Sequence, residues 1–446
     1  MKLGYALCLT TAIALVIAAP LATAASINVV QVTHNDLPEA EPSIAINPQN
    51  PGNVVAGWIS GILGNPAGHA CNFGVSFDSG KSWEKIGPVP GITNDNGGPW
   101  AVSGDPSVAF DKDGDAYFAC GASDRDSPPA GVEYVSKSTD GGMTWGAPVV
   151  AFGPIKNVNG RADFAKISTN PANGDVYVVA QGIPEGFGIY FTRSTDHGVS
   201  FSSLVRIDKR SDGAYTDDPY AVAGVDPSVV YITYGAGSNA NQRFSNYDQI
   251  FIAKSTDGGA TFSPGQKLLD VAPLTTVLAN FPQGLVDANM WSAVDRTSGE
   301  IYVNFVDYRN GDADVWLLRV RDTGTTFVSD GVTRVNDDPM GNGADQFYPF
   351  LSLAPNGRID ICFEDRRYAP GNSLLFTTCA HSSDGGATFT NVQVTTAGFD
   401  ASNNFFIQDY EWQASTDRFV MPIFISDGFP GADFFGQEVF VARVPL

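Results

Sequence analysis

The sequence has little positive charge and few histidines and cysteines. Its 446 residues include 26 lysines and arginines against 48 aspartates and glutamates, a formal net charge of −22. A surface of that sign repels phosphate, so we expect no nucleic-acid partner. There are four histidines and five cysteines, and no two cysteines have the short spacing of a zinc site. The sequence therefore predicts no required cofactor.

Long apolar runs are also absent beyond the N-terminus. The one such run covers residues 3–19, follows Lys2, and precedes the small-residue site Ala22-Thr-Ala24. This arrangement is typical of a signal peptide and is too short and too early for a membrane span. We expect cleavage near Ala24 or Ala25. The predicted organisation is a signal peptide over 1–25 and a single domain over 26–446, secreted (extracellular or periplasmic), without a membrane span and monomeric.

Four cysteines remain after the signal peptide leaves with Cys8. An even number in an oxidising compartment favours disulfides over free thiols. Cys362 and Cys379 fall in successive predicted strands, and Cys71 and Cys120 fall near strand ends of neighbouring repeats. We therefore predict the pairs Cys71–Cys120 and Cys362–Cys379.

A repeated eight-residue turn organises the chain. The pattern Ser-x-Asp-x-Gly-x-(Ser/Thr)-aromatic is well formed five times and degraded once, at residues 320–327, where the serine is lost. Its aspartates stand about 60 residues apart, at Asp78, Asp140, Asp196, Asp257, Asp322 and Asp384. A fixed long period indicates a repeat architecture, and 48 glycines with 28 prolines favour short strands and many turns. The sequence predicts an all-β fold.

Each repeat contains four strand patterns, which make one antiparallel blade of a β-propeller. First strands can be counted seven times, but there are six Asp-turns, and the last repeat ends at Val444 without a fourth strand. The segment 27–33 resembles a fourth strand. We predict a seven-bladed propeller in which this N-terminal strand completes the last blade and removes two sheet edges. A six-bladed ring is the alternative.

The strand order assigns the Asp-turns to one face of the ring, which we call the turn face. There the aspartate accepts backbone N–H groups and the glycine supplies a positive φ, which is structural chemistry. The series Asp111-Lys-Asp113-Gly-Asp115 resembles the start of a calcium loop. Other blades fill the same position with ordinary hairpin residues, which favours a plain turn. A structural calcium ion remains an alternative.

The opposite face, which we call the loop face, carries the blade connections and the loops after second strands. One residue per blade stands just before the first strand: Glu41, Asp105, Asp163, Asp218, Asn289, Tyr348 and Asp409. Most are carboxylates, so we expect an acidic ring at the channel mouth, with Glu411 close behind. Such residues also cap turns, and a cation within the ring is possible. Loops after second strands supply Arg125, Arg309, Arg366 and Arg367, each beside an aspartate with which it could simply pair.

The five complete turns and the degraded sixth resemble the Asp-box (BNR) repeats of the sialidase superfamily, and they cover most of the chain. The resemblance implies an exo-glycosidase that hydrolyses terminal, possibly acidic, sugars. It implies Tyr348 as nucleophile, a glutamate to assist it, for which Glu411 is the candidate, and Asp105 as acid/base. Arg125, Arg309, Arg366 and Arg367 are the candidate ligands of a substrate carboxylate.

Two departures keep other functions open. The first strand, residues 41–46, lacks the Arg-Ile-Pro segment of sialidases, and seven blades differ from their six. A lyase acting on uronate polymers needs a base, for which His69 and Tyr348 are candidates, with Arg366 as the group that neutralises the uronate carboxylate. A non-catalytic binding or adhesion propeller is the third alternative. In each case the expected ligand is a carbohydrate.

Overall fold

The computed structural model describes residues 26–35, 37–61, 69–124, 131–153, 161–183, 188–208, 216–238, 247–273, 278, 289–403, 412–427 and 437–446. These residues form seven four-stranded antiparallel sheets, and the only helices among them are three single turns of 3₁₀ helix. The predicted seven-bladed, all-β propeller is confirmed, and the six-bladed alternative is wrong.

The blades follow one another along the chain, with the first strand of each innermost. Blade I contains β2 (Glu39–Ile46), β3 (Val54–Ser60), β4 (Ala70–Ser76) and β5 (Glu84–Pro88). Blade II contains β6 (Val102–Phe110), β7 (Ala116–Ser123), β8 (Gly131–Ser138) and β9 (Val149–Phe152). Blade III contains β10 (Arg161–Thr169), β11 (Val176–Ile183), β12 (Ile189–Ser194) and β13 (Val205–Arg206).

The remaining blades repeat this order. Blade IV contains β14 (Thr216–Ala223), β15 (Val230–Ala236), β16 (Gln249–Ser255) and β17 (Gln266–Asp270). Blade V contains β18 (Trp291–Val294), β19 (Ile301–Asp307), β20 (Asp314–Asp322) and β21 (Phe327–Arg334). Blade VI contains β22 (Gln346–Leu353), β23 (Ile359–Asp365), β24 (Phe376–Ser382) and β25 (Thr390–Gln393). The 3₁₀ turns are Asn94–Asn96, Pro370–Asn372 and Ala401–Asn403.

Blade VII is built from both ends of the chain. It contains β26 (Trp412–Ser415), β27 (Phe419–Ser426), β28 (Glu438–Pro445) and, as its outer strand, β1 (Asn28–Gln31). β1 runs antiparallel to β28, with Asn28 opposite Arg443 and Gln31 opposite Phe440. The predicted closure by the N-terminal strand is confirmed. It covers the edge of β28 that would otherwise present unpaired backbone groups.

The core lies between the blades because each sheet is covered on both faces by its neighbours. The second strands show this most clearly, since every residue of β15, β19 and β23 is buried. Such strands read as continuous apolar runs rather than alternating ones. The outermost strands β5 and β17 face solvent and are largely polar.

A β-bulge interrupts the innermost strand of most blades near its start. The pairing register shifts after Ala40, Gly104, Asp163, Asp217 and Phe347, in blades I, II, III, IV and VI. A bulge bends the strand and changes the direction of a side chain. The side chains just after these shifts, on the loop face, therefore have a different direction from those of a regular strand.

Both predicted disulfides are present. Cys71 of β4 is bonded to Cys120 of β7, which joins blade I to blade II. Cys362 and Cys379 are directly opposite each other on β23 and β24 of blade VI. No helix in the described part of the chain has the length and apolar character needed to cross a membrane.

Candidate functional site

A ring of left-handed backbone positions marks the loop face. Five residues just after the bulges, or at the equivalent place in blade V, have φ between 38° and 53°: Glu41, Asp105, Asp218, Asn289 and Tyr348. Only four other described non-glycine residues have positive φ. This conformation costs about 1 kcal/mol or more for a residue with a Cβ, and such strain clusters at functional sites. The ring thus holds three acids, an amide and a tyrosine where glycine would be least strained.

The register corrects one member of the expected ring. Asp163 pairs with Gln181, as Gly104 pairs with Gly121 and Asp217 with Gly235. It therefore lies one residue before the left-handed position. The reason is spacing, because Asp163 stands three positions before Lys166, the first paired residue beyond the bulge, whereas Asp105 stands two positions before Ser107. Asp409, Glu411 and Arg125 lie outside the described residues, so their predicted roles stay predictions.

Blades I and II bring two ring carboxylates together. The backbone N–H of Asp105 donates to Oε2 of Glu41 at 3.2 Å. Glu41 is 4% exposed and Asp105 is partly exposed. A hydrogen bond to a carboxylate favours its ionised form. The two blades therefore place the buried carboxylate of Glu41 beside Asp105, whose carboxylate is more accessible.

His69 lies at the same corner. The backbone N–H of Ser103 donates to its carbonyl at 2.9 Å, and a Cβ on Gly104 would stand 3.1 Å from its Cε1 atom. The neighbouring Cys71–Cys120 disulfide fixes β4 against blade II. His69 is thus adjacent to the residue that precedes Asp105, as its predicted place on the loop face requires.

The floor beneath the ring is an aromatic cluster that fills the propeller axis. Trp291 of blade V contacts Trp412 of blade VII and Phe350 of blade VI, at ring-centroid distances of 4.7 and 4.3 Å. Tyr220 of blade IV meets Trp291 edge-on at 4.9 Å. Blades V and VII are not neighbours, so these rings meet across the axis. The first strands of blades IV to VII are therefore held together by these rings.

A buried lysine completes this floor, and sequence reasoning did not find it. Lys166 of blade III is 2% exposed, and its Nζ atom lies 4.2 Å from the centroid of Trp291 and 3.4 Å from Oδ1 of Asp218. Burial raises the pKa of Asp218, and the charge of Lys166 opposes that effect. A buried charge is tolerated when it is paired in this way. The available signal was a lysine inside the otherwise apolar segment Ala165-Lys166-Ile167.

The described arginines of the loop face are engaged by aspartates of blades V and VI. Arg309 donates to both carboxylate oxygens of Asp307, at 2.8 and 2.6 Å. Arg366 is 1% exposed, donates to the carbonyl of Asn372, and lies 3.8 Å from Asp345. Burial lowers the pKa of Arg366.

Arg367 belongs to the same group of blade V and VI side chains. Its Nε atom lies 2.7 Å from Asp365, and it also pairs with Asp337. Burial raises the pKa of Asp365, while Arg367 acts to lower it. The structure thus gathers Arg309, Arg366 and Arg367 on neighbouring blades, each beside an aspartate, and their predicted role toward a substrate carboxylate stays a prediction.

Tyr348 holds the ring position of blade VI and is 1% exposed. Its ring packs edge-on against Phe347 at 5.1 Å. Tyr368, in the loop after β23, is by contrast 37% exposed and lies under the Arg367 guanidinium. Tyr368 is therefore partly accessible, while Tyr348 belongs to the core.

The seam of blade VII holds a second pair of acids that sequence reasoning missed. The side-chain amide of Asn35 donates to Glu39 at 2.7 Å, and its backbone N–H donates to Glu438 at 3.3 Å. Ser60 also donates to Glu39, at 2.6 Å. Burial raises the pKa of Glu39 to about 8, with a smaller contribution from the charge of Glu438. This shift favours the protonated form of Glu39 at neutral pH.

The possible calcium loop on the turn face is a self-contained hairpin turn. Asp111 is buried, and its carboxylate accepts the N–H groups of Asp113 and Asp115 at 2.9 and 3.0 Å and the hydroxyl of Tyr117 at 2.9 Å. His197 approaches it from blade III, with Nδ1 3.7 Å from Oδ2. Asp111, Asp113 and His197 lie close enough together to coordinate one ion. Because protein donors already engage Asp111, the plain turn accounts for the arrangement, and a structural calcium ion stays untested.

Comparison with known proteins gives distant similarity and no family assignment. No family model matches the chain. The xyloglucanase Xgh74A of Acetivibrio thermocellus is 26% identical over 294 residues, which cover 62% of this chain and 30% of that protein. A xyloglucanase of Hypocrea jecorina is 27% identical over 207 residues, covering 43% of this chain and 23% of that protein. The chain thus spans less than a third of the length of these curated relatives.

Solved structures support the fold. A Dyadobacter fermentans protein of unknown function superposes with a TM-score of 0.53 at 13% identity, covering 94% of this chain and 98% of that one. The microbial sialidase Hz136 gives 0.52 at 13% identity, covering 92% and 66%. An ulvan lyase of polysaccharide lyase family PL25 gives 0.51 at 14% identity, covering 91% and 93%. At these identities the likeness concerns the propeller fold alone.

Proposed function

We propose that this chain is a secreted carbohydrate-active propeller that binds a glycan over the loop-face ring and hydrolyses a glycosidic bond there. The observation that carries the proposal is the ring itself. Five blades place a residue with a side chain, rather than glycine, at the same strained left-handed position. Strain of this kind persists where the side chain is needed.

Glu41 and Asp105 are the residues we propose for the reaction. Glycoside hydrolysis uses two carboxyl groups, one that donates a proton to the leaving oxygen and one that acts as base or nucleophile. Asp105 is the more exposed of the two, and we assign it the acid/base role that the sequence predicts. Glu41, whose carboxylate accepts the N–H of Asp105, is assigned the second role.

The proposed substrate is a neutral polysaccharide. The two curated relatives above are xyloglucanases, and Arg309, Arg366 and Arg367 are each beside an aspartate rather than presented together to a carboxylate. The exposed ring of Tyr368 offers a surface on which a sugar can stack. The two disulfides and the N-terminal apolar segment support secretion.

The experiment is incubation of the purified protein with xyloglucan, a uronate polymer and a sialoside. We expect new reducing ends from xyloglucan, and an Asp105→Asn variant that has lost about 100-fold or more of that activity, as is usual for a general acid. Asp113→Asn, on the turn face, is the matched control and should retain full activity.

Other products would overturn the assignment. An unsaturated, ultraviolet-absorbing product from the uronate polymer would identify a lyase, with His69 as the base to test. Free sialic acid that is lost in Tyr348→Phe and Arg366→Ala would establish the sialidase mechanism. Binding of xyloglucan without any product would make the propeller a non-catalytic binding protein.

A further inference from the structure

The five complete Asp-turns are closed systems with no space for a ligand between their own residues. In blade IV, Asp257 accepts the N–H and hydroxyl of Thr261 at 2.9 and 2.6 Å and the hydroxyl of Ser255 at 2.7 Å. Ser255 in turn accepts the N–H of Gly259 at 2.8 Å. These hydrogen bonds, first that of the Thr261 hydroxyl, lower the pKa of Asp257. Its carboxylate is therefore fully used within the turn.

The degraded turn of blade V is different because its serine is replaced by Val320. Its aspartate, Asp322, accepts the N–H of Gly324 within its own turn at 2.8 Å through Oδ1, while Oδ2 is directed toward blade IV. There the carboxylate accepts a hydrogen bond from the Tyr231 hydroxyl at 2.8 Å and pairs with Lys254 Nζ at 2.6 Å. Lys254 and Asp322 are 18% and 12% exposed at the side chain. Where the serine hydroxyl is lost, the aspartate thus contacts the neighbouring blade.

A cavity of about 390 Å³ lies above this ion pair, between the turns of blades IV and V. It is open to solvent, and its lining includes Lys254, Asp322, Pro264, Phe262 and Phe327. Its volume falls within the range of natural small-molecule sites. It lies on the turn face, on the other side of the disk from the ring of left-handed residues.

The lining of the cavity indicates what it would bind. The hydroxyl groups of Thr256, Thr261, Ser263, Thr325 and Thr326 line it, with the amide of Gln266. The hydroxyls of Thr261 and Thr326 already donate to Asp257 and Gln266, so toward a ligand they can only accept, and the Gln266 amide is engaged by Thr326 and Phe327. Hydroxyls both donate and accept, and so match the hydroxyls of a sugar. The lining has no net charge because Lys254 and Asp322 neutralise each other, and an anion would have to break that pair. We propose that this cavity is a second binding site, for a neutral sugar residue of a polysaccharide chain.

The test uses the full chain and cellotetraose as the probe. The methyl resonances of Thr256, Thr325 and Thr326 report on the cavity directly, and they should shift on titration in wild type and equally in Asp105→Asn. Thr325→Trp fills the cavity and should abolish the shift of Thr256 or weaken binding there about 10-fold or more. Ala387→Trp places the same side chain at the equivalent position of the blade VI turn and should have no effect.

This site does not depend on the reaction proposed for the ring, and the two can fail separately. Loss of hydrolysis in Asp105→Asn with unchanged threonine shifts supports both proposals. Unshifted threonine resonances in wild type, or shifts that survive Thr325→Trp, would eliminate the second site whatever the activity. A trisaccharide of galacturonate that binds the cavity as tightly as cellotetraose would show that the assignment to neutral sugars is wrong.

Discussion

The backbone of Asp105 has a conformation that suits glycine better than a residue with a side chain. The contribution of this side chain to activity can therefore be separated from its contribution to stability. The φ of Asp105 is 53°. Its N–H, which holds Glu41, is backbone and survives any substitution other than proline. Asp105→Gly should therefore abolish hydrolysis while the protein remains more stable than Asp105→Ala by about 1 kcal/mol. Urea denaturation of the two variants measures this difference.

Lys85 provides the matched control for that comparison. It has φ of 48° but is exposed on the outer strand β5, far from the ring. Lys85→Gly should exceed Lys85→Ala in stability by a similar amount and keep full activity. If Asp105→Gly is instead much less stable than Asp105→Ala, relief of the left-handed backbone is not the dominant effect at this position.

Glu39 makes stability depend on pH. Its pKa is about 8 in the folded protein against an ordinary value of 4.5. Between these two values the folded state holds a proton that the unfolded state has released. The unfolding free energy should therefore fall by about 1.4 kcal/mol per pH unit as pH rises from 4.5 to 8 through this group alone. The contribution is complete below pH 4.5 and lost above the folded pKa.

Comparison of wild type with Glu39→Gln isolates this effect, because Gln keeps the shape and does not ionise. Its amide oxygen can accept from Asn35, while its NH2 group has to donate where Glu39 accepts the Ser60 hydroxyl. Urea denaturation from pH 5 to 8 should show that the unfolding free energy of wild type falls steadily relative to that of Glu39→Gln. Parallel curves for the two proteins would mean that Glu39 is ionised in the folded state.

The residues that sequence reasoning missed share one physical cause. The carboxylate beside Arg309 is two positions away in sequence, and that pairing was anticipated. The partners of Lys166, Asp218 and Trp291, come from the next two blades, and Glu39 reaches Glu438 only through the seam. Pairs of this kind depend on how neighbouring blades pack against each other. A sequence period of about 60 residues predicts the number of blades but not the register between them.

Among the strands, β1 has an importance out of proportion to its four residues. Its last residues continue into Thr33, whose hydroxyl donates to Glu438 and accepts the N–H of Val439 at 2.9 Å. Without this segment, β28 loses its outer partner and Glu438, which is 5% exposed, loses hydrogen bonds. Deletion of residues 26–36 should therefore abolish folding or lower the melting temperature by about 10 °C or more.

Circular dichroism on heating measures this effect of the deletion. Asn28→Ala, an exposed substitution in the same strand, should melt within about 1 °C of wild type. A deletion variant that melts cooperatively at the wild-type temperature would contradict the importance of the closure.

At the level of strands the sequence was most informative where the pattern was local. Asp-turns, hairpin glycines and apolar second strands gave the number and order of the blades, and the missing seventh turn gave the closure. The bulges were not predictable in the same way. Asp163 and Asp105 both stand before a first strand, yet the register places them one residue apart, because a bulge is set by packing rather than by composition.

In the molecule as a whole, the two disulfides constrain the ring differently. Cys71–Cys120 joins two blades across a sequence separation of 49, whereas Cys362–Cys379 lies within one blade with a separation of 17. In the chain-entropy view their contributions are about 4 and 3 kcal/mol. Replacing both cysteines by serine should therefore cost more for the first pair, by about 1 kcal/mol.

Guanidinium denaturation of the two double variants tests that order. Both pairs are buried, so the cost of burying serine hydroxyls should be similar and largely cancel. A larger loss for Cys362→Ser with Cys379→Ser would indicate that native packing, rather than the unfolded chain, determines what each disulfide contributes.

The pairing of β1 with β28 also determines how the ring responds to force. Asn28 lies opposite Arg443, so the N-terminal end of β1 and the C-terminal end of β28 are at the same end of the pair. A pull applied between the two ends of the propeller would load their hydrogen bonds one after another, as in unzipping, rather than all at once in shear. A propeller attached at one end would bear no such load. One stretched between two attachment points would open first between β1 and β28.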